Sequence, residues 1–125
     1  MNAELLGKTI LVVEDEFFIA KEIKQVLVEA GAVIIGPVGD VGSGLAVART
    51  ATLDFAVLDV NLNGEACFAI ADSLTDRGVP YLFLTGYDGW ALPDAYREVR
   101  CIPKPFGAEQ LVAAIQQSSQ SGGKA

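Results

Sequence analysis

The chain contains no histidine, and it has few cysteine, tryptophan or methionine residues. Its 125 residues include 2 cysteines, 1 tryptophan and 1 methionine. The lack of histidine excludes Ser-His-Asp and Cys-His catalytic sites, and zinc sites ligated by histidine. It also excludes these residues from acting as a histidine kinase or a phosphohistidine carrier. Any chemistry must therefore use carboxylates, hydroxyls and amines.

The chain is also poor in positive charge and has no long apolar run. Its formal net charge is −7 and its sequence pI is about 4.4, which argues against non-specific binding to nucleic acid or an anionic membrane. No apolar stretch approaches the roughly 20 residues that span a bilayer. Residues 1–6 do not have the pattern of a signal peptide, and two cysteines are too few for a disulfide scaffold. We therefore predict a cytoplasmic protein with no nucleic-acid partner and no membrane insertion.

Short apolar runs alternate with helical patterns along most of the chain. With an apolar fraction of 51%, this length suits one domain with a substantial core. The predicted strands are residues 8–13, 32–35, 55–58, 81–84 and 100–102. The predicted helices are residues 17–30, 40–51, 65–77 and 107–117, with at most a short helix around 94–98. Residues 1–7 are expected to form an extension, residues 8–117 the domain and residues 118–125 a flexible tail.

This alternation of strands and helices predicts an α/β fold. Successive βαβ units with right-handed crossovers build a doubly wound, five-stranded parallel sheet with helices on both faces. For a chain of this size the common strand order is 2-1-3-4-5, the flavodoxin-like (βα)5 arrangement. In that order strand 1 lies beside strand 3, so the residues that follow these two strands become neighbours.

Polar residues stand where the predicted strands end, at the edge where open α/β sheets bind their ligands. They are Glu14, Asp15 and Glu16 after the first strand, Asp59 after the third, Thr85 after the fourth and Lys104 after the fifth. Taken alone, Asp59 could be no more than a turn residue after the apolar run of residues 55–58. The other residues at the same edge favour a ligand site.

The chemistry of this cluster indicates a metal and a phosphoryl group. Crowded carboxylates repel one another unless a cation neutralises them, and oxygen ligands without histidine or thiolate favour a hard ion such as Mg²⁺. An ammonium from Lys104 and a hydroxyl from Thr85 would neutralise charge on the oxygens of a transferring phosphoryl group. Asp59 would then be a carboxylate nucleophile that forms an aspartyl phosphate.

Four motifs follow one another along the chain, each at a predicted strand end. They are Glu14-Asp15 after an Ile-Leu-Val-Val run, Leu58-Asp59-Val60-Asn61-Leu62, Phe83-Leu84-Thr85-Gly86, and Lys104-Pro105-Phe106. Together they resemble the response-regulator receiver domain of two-component signalling over residues 8–117. The resemblance implies a signalling domain that catalyses only its own phosphorylation and dephosphorylation.

The resemblance also implies a metal-ligand set. Asp15 matches the direct Mg²⁺ ligand of the family, and Glu14 matches its partner acid. Asn61 matches the position that offers a backbone carbonyl to the metal. Asp59 is expected to contribute a carboxylate oxygen as well, so the expected metal residues are Glu14, Asp15, Asp59 and Asn61.

Three residues match the family positions that handle the phosphoryl group. Asp59 matches the phosphoacceptor, Thr85 the switch hydroxyl and Lys104 the phosphate-binding lysine. In the family the peptide bond between this lysine and the following proline, here Pro105, is cis. These three residues are the expected catalytic residues.

The chain departs from the common receiver pattern on the fifth strand. Many receivers have an aromatic residue three positions before the lysine, whereas this chain has Cys101 there. The stretch from Phe83 to Tyr87 instead resembles a receiver subgroup with a Phe-x-Thr-Gly-Tyr motif after strand four. The hypothesis is that Tyr87 takes over part of the switching.

These residues are consistent with three functions. The leading one is a phosphorylation-dependent switch in which a histidine kinase or histidine phosphotransfer protein donates a phosphoryl group to Asp59, and a downstream protein reads the change. No DNA-binding domain follows in this sequence, so a single-domain regulator is expected. A second function is a receiver-like interaction module that is never phosphorylated. A third is a phosphohydrolase with an aspartyl-phosphate intermediate, although Asn61 occupies the position where such enzymes have a second acid.

Overall fold

The computed structural model describes residues 4–86 and 92–122 as strands that alternate with helices. The strands are β1 (Thr9–Val13), β2 (Val33–Val38), β3 (Phe55–Asp59), β4 (Asn61–Leu62), β5 (Glu65–Ala66), β6 (Tyr81–Thr85) and β7 (Cys101–Pro103). The α-helices are α1 (Phe17–Glu29), α2 (Val41–Thr50), α3 (Phe68–Asp76) and α4 (Ala108–Gly122), and a 3₁₀ helix spans Asp94–Tyr96.

The central sheet has five parallel strands in the order β2-β1-β3-β6-β7. Because β6 and β7 are the fourth and fifth strands of this sheet, the predicted order 2-1-3-4-5 is confirmed. Every residue of β3 is buried, as expected for a strand covered by helices on both faces.

Alternate residues of each central strand pack into opposite layers, because successive side chains of a strand point to opposite faces. Ile10 and Val12 of β1 lie in the core beneath α1 and α4. Leu11 and Val13 lie in the core beneath α2 and α3. These two apolar layers hold the sheet rigid and fix the edge at which the polar residues emerge.

The segment after β3 differs from its prediction. A helix was expected over residues 65–77, but residues 61–66 form a small antiparallel hairpin of β4 and β5, and α3 begins only at Phe68. Asn63 and Gly64 have φ values of 54° and 88°, as a tight two-residue hairpin turn requires. The Asn-Gly pair was the sequence signal for this hairpin.

Strand β2 continues past its predicted end at residue 35. It includes Gly36 and Pro37, which are joined by a cis peptide bond, and it ends at Val38. A proline is tolerated here because β2 is an edge strand and the missing N–H costs no ladder hydrogen bond. Gly36 has a φ of 100°, and a Cβ atom there would lie 2.8 Å from the backbone oxygen of Val12.

Helix α4 also passes its predicted end at residue 117 and continues to Gly122, so the predicted tail begins inside the helix. The added residues lack proline, and extending an existing helix costs far less than starting one. At the other end of the chain Leu5 is buried in the core beneath α1 and α4. None of the described helices is both long and apolar enough to cross a membrane.

Candidate functional site

The polar residues predicted to form a site meet at the carboxyl edge of the sheet. Asp59 is the last residue of β3, and Glu14 and Asp15 directly follow β1, which pairs with β3. Thr85 ends β6 on the other side of β3, and Lys104 directly follows β7. The parallel topology carries all of these strand ends to the same edge.

Three carboxylates at this edge could hold one cation. Glu14, Asp15 and Asp59 each offer an oxygen, and these oxygens all lie within 4.8 Å of one another. Glu14 and Asp59 are only 2% and 4% exposed. Buried like charges need a counter-charge, and an all-oxygen donor set matches the preference of Mg²⁺. The cluster therefore fits a magnesium site.

Lys104 supplies the positive charge that faces these acids. Its Nζ lies 2.8 Å from Glu14 Oε1, 3.2 Å from Asp59 Oδ2 and 3.2 Å from Glu16 Oε1. The backbone N–H of Lys104 donates to the carbonyl oxygen of Thr85 at 2.8 Å, which places the lysine at this edge. Its peptide bond to Pro105 is cis. The cis bond that the resemblance implied is thus present.

Burial and neighbouring charge perturb both members of the central ion pair. Burial first, and then the charge of Glu14, raise the pKa of Asp59 from 3.8 to about 7, although Lys104 opposes this rise. Burial alone would lower the pKa of Lys104, but hydrogen bonds and charges from Glu14 and Asp59 outweigh it and raise that pKa. The acids outnumber the lysine, so the site as built favours binding of a further cation.

The hairpin of β4 and β5 orders the acids through backbone hydrogen bonds. The N–H of Asn63 donates to Asp15 Oδ2 at 3.1 Å, and the N–H of Asn61 donates to Asp59 Oδ1 at 3.3 Å. The Asn61 side chain in turn accepts from the N–H of Gly64 at 2.6 Å. The contact from Asn63 was not predicted, because it depends on the hairpin.

A sequence model of the protein family described as the response regulator receiver domain matches residues 10–116 of the chain. The chain belongs to this family. A receiver domain is a signalling domain. The matched range lies inside the domain that was predicted over residues 8–117.

Relatives of this receiver domain include proteins of known structure. SdrG from Sphingomonas melonis Fr1 is 31% identical with a TM-score of 0.81, over 96% of this chain and 99% of that chain. The receiver domain of the sensor histidine kinase PA1611 from Pseudomonas aeruginosa PAO1, solved with magnesium in its active site cleft, is 22% identical with a TM-score of 0.76, over 92% of this chain and 99% of that chain.

A curated relative is longer than this receiver domain. The transcriptional regulatory protein PdtaR of Mycobacterium tuberculosis (strain CDC 1551 / Oshkosh) is 26% identical over 113 residues. These residues make up 87% of this chain but only 55% of PdtaR. The chain thus spans about half the length of this relative.

Thr85 reaches the same edge of the receiver domain at the end of β6. It is half-buried at the end of β6, in register with Pro103. In the part of the chain that the structure describes, its hydroxyl makes no hydrogen bond to Asp59 or Lys104. Tyr87, which the subgroup motif predicted to share in switching, lies outside the described residues.

Cys101 stands where many receivers have an aromatic residue, and aromatic rings from other elements pack nearby. Cys101 is half-buried and in register with Phe83 of β6. Phe83 contacts Tyr96 of the 3₁₀ helix with ring centroids 5.9 Å apart, and Tyr96 stacks on Phe68 of α3 at 4.6 Å. The Tyr96 hydroxyl donates to Asp72 at 2.5 Å. This aromatic cluster connects β6 and the 3₁₀ helix to α3.

A cavity of about 500 Å³ at this edge has Asp59 in its lining. Besides the predicted residues Asp15, Asn61 and Lys104, side chains from α1 and the side chain of Phe106, which precedes α4, line it. Glu16 was predicted to stand at this edge but was given no role there. Ile19, Glu22, Asn63, Gly86 and Phe106 were not predicted as site residues. Only the helical position of Ile19 and Glu22 next to the acidic motif could have indicated them from sequence.

Proposed function

We propose that this receiver domain is a phosphorylation-dependent switch and that Asp59 is its phosphoacceptor. The observation that carries the proposal is the position of Asp59 in the lining of a cavity, 3.2 Å from Lys104 and beside Glu14 and Asp15. A carboxylate between an ammonium and a candidate cation site is suited to attack a phosphoryl group and to stabilise the product.

In the proposed reaction a carboxylate oxygen of Asp59 forms a bond to phosphorus. The bond between phosphorus and the imidazole nitrogen of the donor breaks at the same time, and its electron pair stays on that nitrogen. Lys104 donates hydrogen bonds to the phosphoryl oxygens, and the Thr85 hydroxyl donates another once it moves toward Asp59. Positioning and charge neutralisation supply most of the catalysis in such transfers.

Glu14, Asp15, Asp59 and the backbone carbonyl of Asn61 would hold the magnesium ion in this proposal. When bound, the ion neutralises the crowded carboxylates and the charge on the phosphoryl oxygens. The magnesium described for the PA1611 receiver domain supports this assignment. The all-oxygen cluster of this chain supports it independently.

The donor and the reader of the signal are other molecules in this proposal. Since these 125 residues contain no histidine, the donor imidazole belongs to a histidine kinase or a histidine phosphotransfer protein. The phosphoryl group on Asp59 brings strong acceptor oxygens into the site and changes the contacts of the adjacent loops. A downstream protein then binds the altered surface, and we place this exchange in the cytoplasm.

The test is the intact mass of the protein after incubation with Mg²⁺ and acetyl phosphate. We expect one added phosphoryl group on the wild type. None is expected on the Asp59→Asn variant, which keeps the shape of the side chain but removes the nucleophile, or on wild type treated without magnesium.

Beryllofluoride, which mimics a bound phosphoryl group, makes the result decisive. A folded wild type that gains no mass and does not bind beryllofluoride would contradict the proposal and favour an interaction module that works without phosphorylation. A phosphoryl group that is found on Asp59→Asn would show that another residue is the acceptor.

A further inference from the structure

Lys104 has three carboxylate partners, and one of them differs from the other two. Glu14 and Asp59 are buried and belong to the acidic cluster that fits a cation. Glu16 lies outside that cluster, its side chain is 61% exposed, and its Oε1 is 3.2 Å from Lys104 Nζ. The ion pair between Glu16 and Lys104 can therefore break without any change in the residues that fit a metal ion.

Glu16 is held within reach of the lysine by its own backbone. Its N–H donates to Glu14 Oε2 at 3.0 Å, which fixes the turn after β1. Its side chain also lines the cavity above Asp59, through which a phosphoryl group would enter. The carboxylate thus stands beside the lysine and on the path of an anionic ligand.

We propose that Glu16 is a positioning residue that holds Lys104 in a resting arrangement and opposes phosphoryl binding. An ammonium donates three hydrogen bonds, and three carboxylates surround this one. A phosphoryl group on Asp59 has to take over one of these bonds, and the exposed contact with Glu16 costs least to exchange. This inference rests on the proposed function of Asp59 and adds a residue that tunes it.

The expected size of the effect follows from the exposure of Glu16. Partly exposed ion pairs contribute little because water screens them, and removing one corresponds to about a two- to five-fold change in affinity. Glu16→Gln keeps the shape of the side chain and removes its charge. It should therefore tighten the binding of a phosphoryl mimic by about two- to five-fold.

Glu22 provides the matched control. It lines the same cavity on α1, but the acids within ion-pair distance of Lys104 in the described chain are Glu14, Glu16 and Asp59. Glu22→Gln changes the net charge by the same amount without touching the lysine. It should tighten binding less than Glu16→Gln, and only through the general field of the cavity.

The experiment is a titration of wild type, Glu16→Gln and Glu22→Gln with beryllofluoride at saturating Mg²⁺, followed by NMR of the protein. The side-chain ¹⁵Nζ resonance of Lys104, which a purely structural role of Glu16 would leave in place, is expected to shift in Glu16→Gln and not in Glu22→Gln. A second titration compares Glu16→Gln with Glu22→Gln in a Lys104→Met background. There the two variants should bind beryllofluoride with equal affinity.

Each outcome decides between the two proposals. Equal affinities for Glu16→Gln and Glu22→Gln, or an advantage that survives in Lys104→Met, would overturn the inference about Glu16 and leave the phosphoacceptor intact. If wild type neither binds beryllofluoride nor takes up a phosphoryl group, the proposed function fails, and the inference fails with it.

Discussion

At the scale of single residues, the surroundings of Asp59 disfavour the charged form of its carboxylate. Its carboxylate is buried beside Glu14, which disfavours its charge, while Lys104 at 3.2 Å favours it. Desolvation and the like charge prevail, so the pKa of Asp59 rises to about 7. The repulsion between the acids of the site is therefore greatest when no cation is bound and all of them are ionised.

We expect the metal-free protein to lose stability as the pH rises from about 4 to about 7. In this window native Asp59 keeps a proton that the unfolded chain, with an ordinary pKa of 3.8, has already released. Because the native state binds more protons there, the free energy of unfolding falls with rising pH. Urea unfolding across this range in metal-free buffer measures the fall.

The Asp59→Asn variant serves as the control for this pH dependence. It cannot ionise at this position, so its stability should vary less over the same window. A variant whose stability falls as steeply as that of the wild type would show that the proton resides on another group.

At the scale of elements, helix α2 contains two glycines that face different surroundings. A Cβ atom at Gly44 would lie 2.6 Å from Ile70 Cδ1 and 3.4 Å from Val13 Cγ2, both in the core between α2, α3 and the sheet. A Cβ atom at Gly42 would meet only the Asp40 carboxylate, at 3.3 Å. Gly44 allows α2 to approach α3 closely, whereas Gly42 has no such neighbour.

We expect effects of different size when each of these glycines is replaced by alanine. Gly44→Ala should destabilise the domain by about 1–3 kcal/mol, because the added methyl overpacks a core in which Ile70 is fully buried. Gly42→Ala should change the stability by less than about 1 kcal/mol, because the gain in helix propensity is offset where the methyl crowds the capping carboxylate of Asp40. Chemical unfolding of both variants measures the difference, and equal effects would show that α2 can shift to accept the methyl group.

Elements also differ in how well their boundaries could be predicted. The strands ending at Val13 and Asp59 were recognised because a run of apolar residues stops at an acid. The start of α3 was placed too early because the Asn63-Gly64 turn was not interpreted as a hairpin, and Glu65 and Ala66 belong to its second strand. The end of α4 was placed too early because serine and glycine favour loops only weakly when a helix already precedes them.

At the scale of the whole molecule, the fold concentrates negative charge at one edge. The net charge is −7, and the carboxyl ends of β1 and β3 bring Glu14, Asp15 and Asp59 together. The free energy that this repulsion costs is recovered when a cation binds the native state, because the unfolded chain does not assemble the cluster.

Magnesium should therefore stabilise the folded protein. We expect the melting temperature of wild type to rise with Mg²⁺ concentration, with a gain of about 2.7 kcal/mol at 100 times the dissociation constant. Asp15→Asn should weaken this response because it removes one cluster oxygen. Thermal unfolding followed by circular dichroism over a magnesium series measures it.

The matched control for magnesium is Asp76→Asn, at the exposed end of α3 away from the cluster. This variant makes the same change in net charge and should keep the response of wild type. If Asp15→Asn also keeps it, the ion binds elsewhere on the protein.

The sequence by itself determined the fold class, the strand order and which residues stand at the strand ends. Apolar runs bounded by acids and glycines can be recognised in the local sequence. The rules of parallel topology then allow few strand orders. Only the tertiary structure decided the three contacts of Lys104, the contact of Asn63 with Asp15 and the space that Gly44 leaves for Ile70. The physical reason is that such contacts join residues far apart in the chain, at distances that depend on how every layer packs.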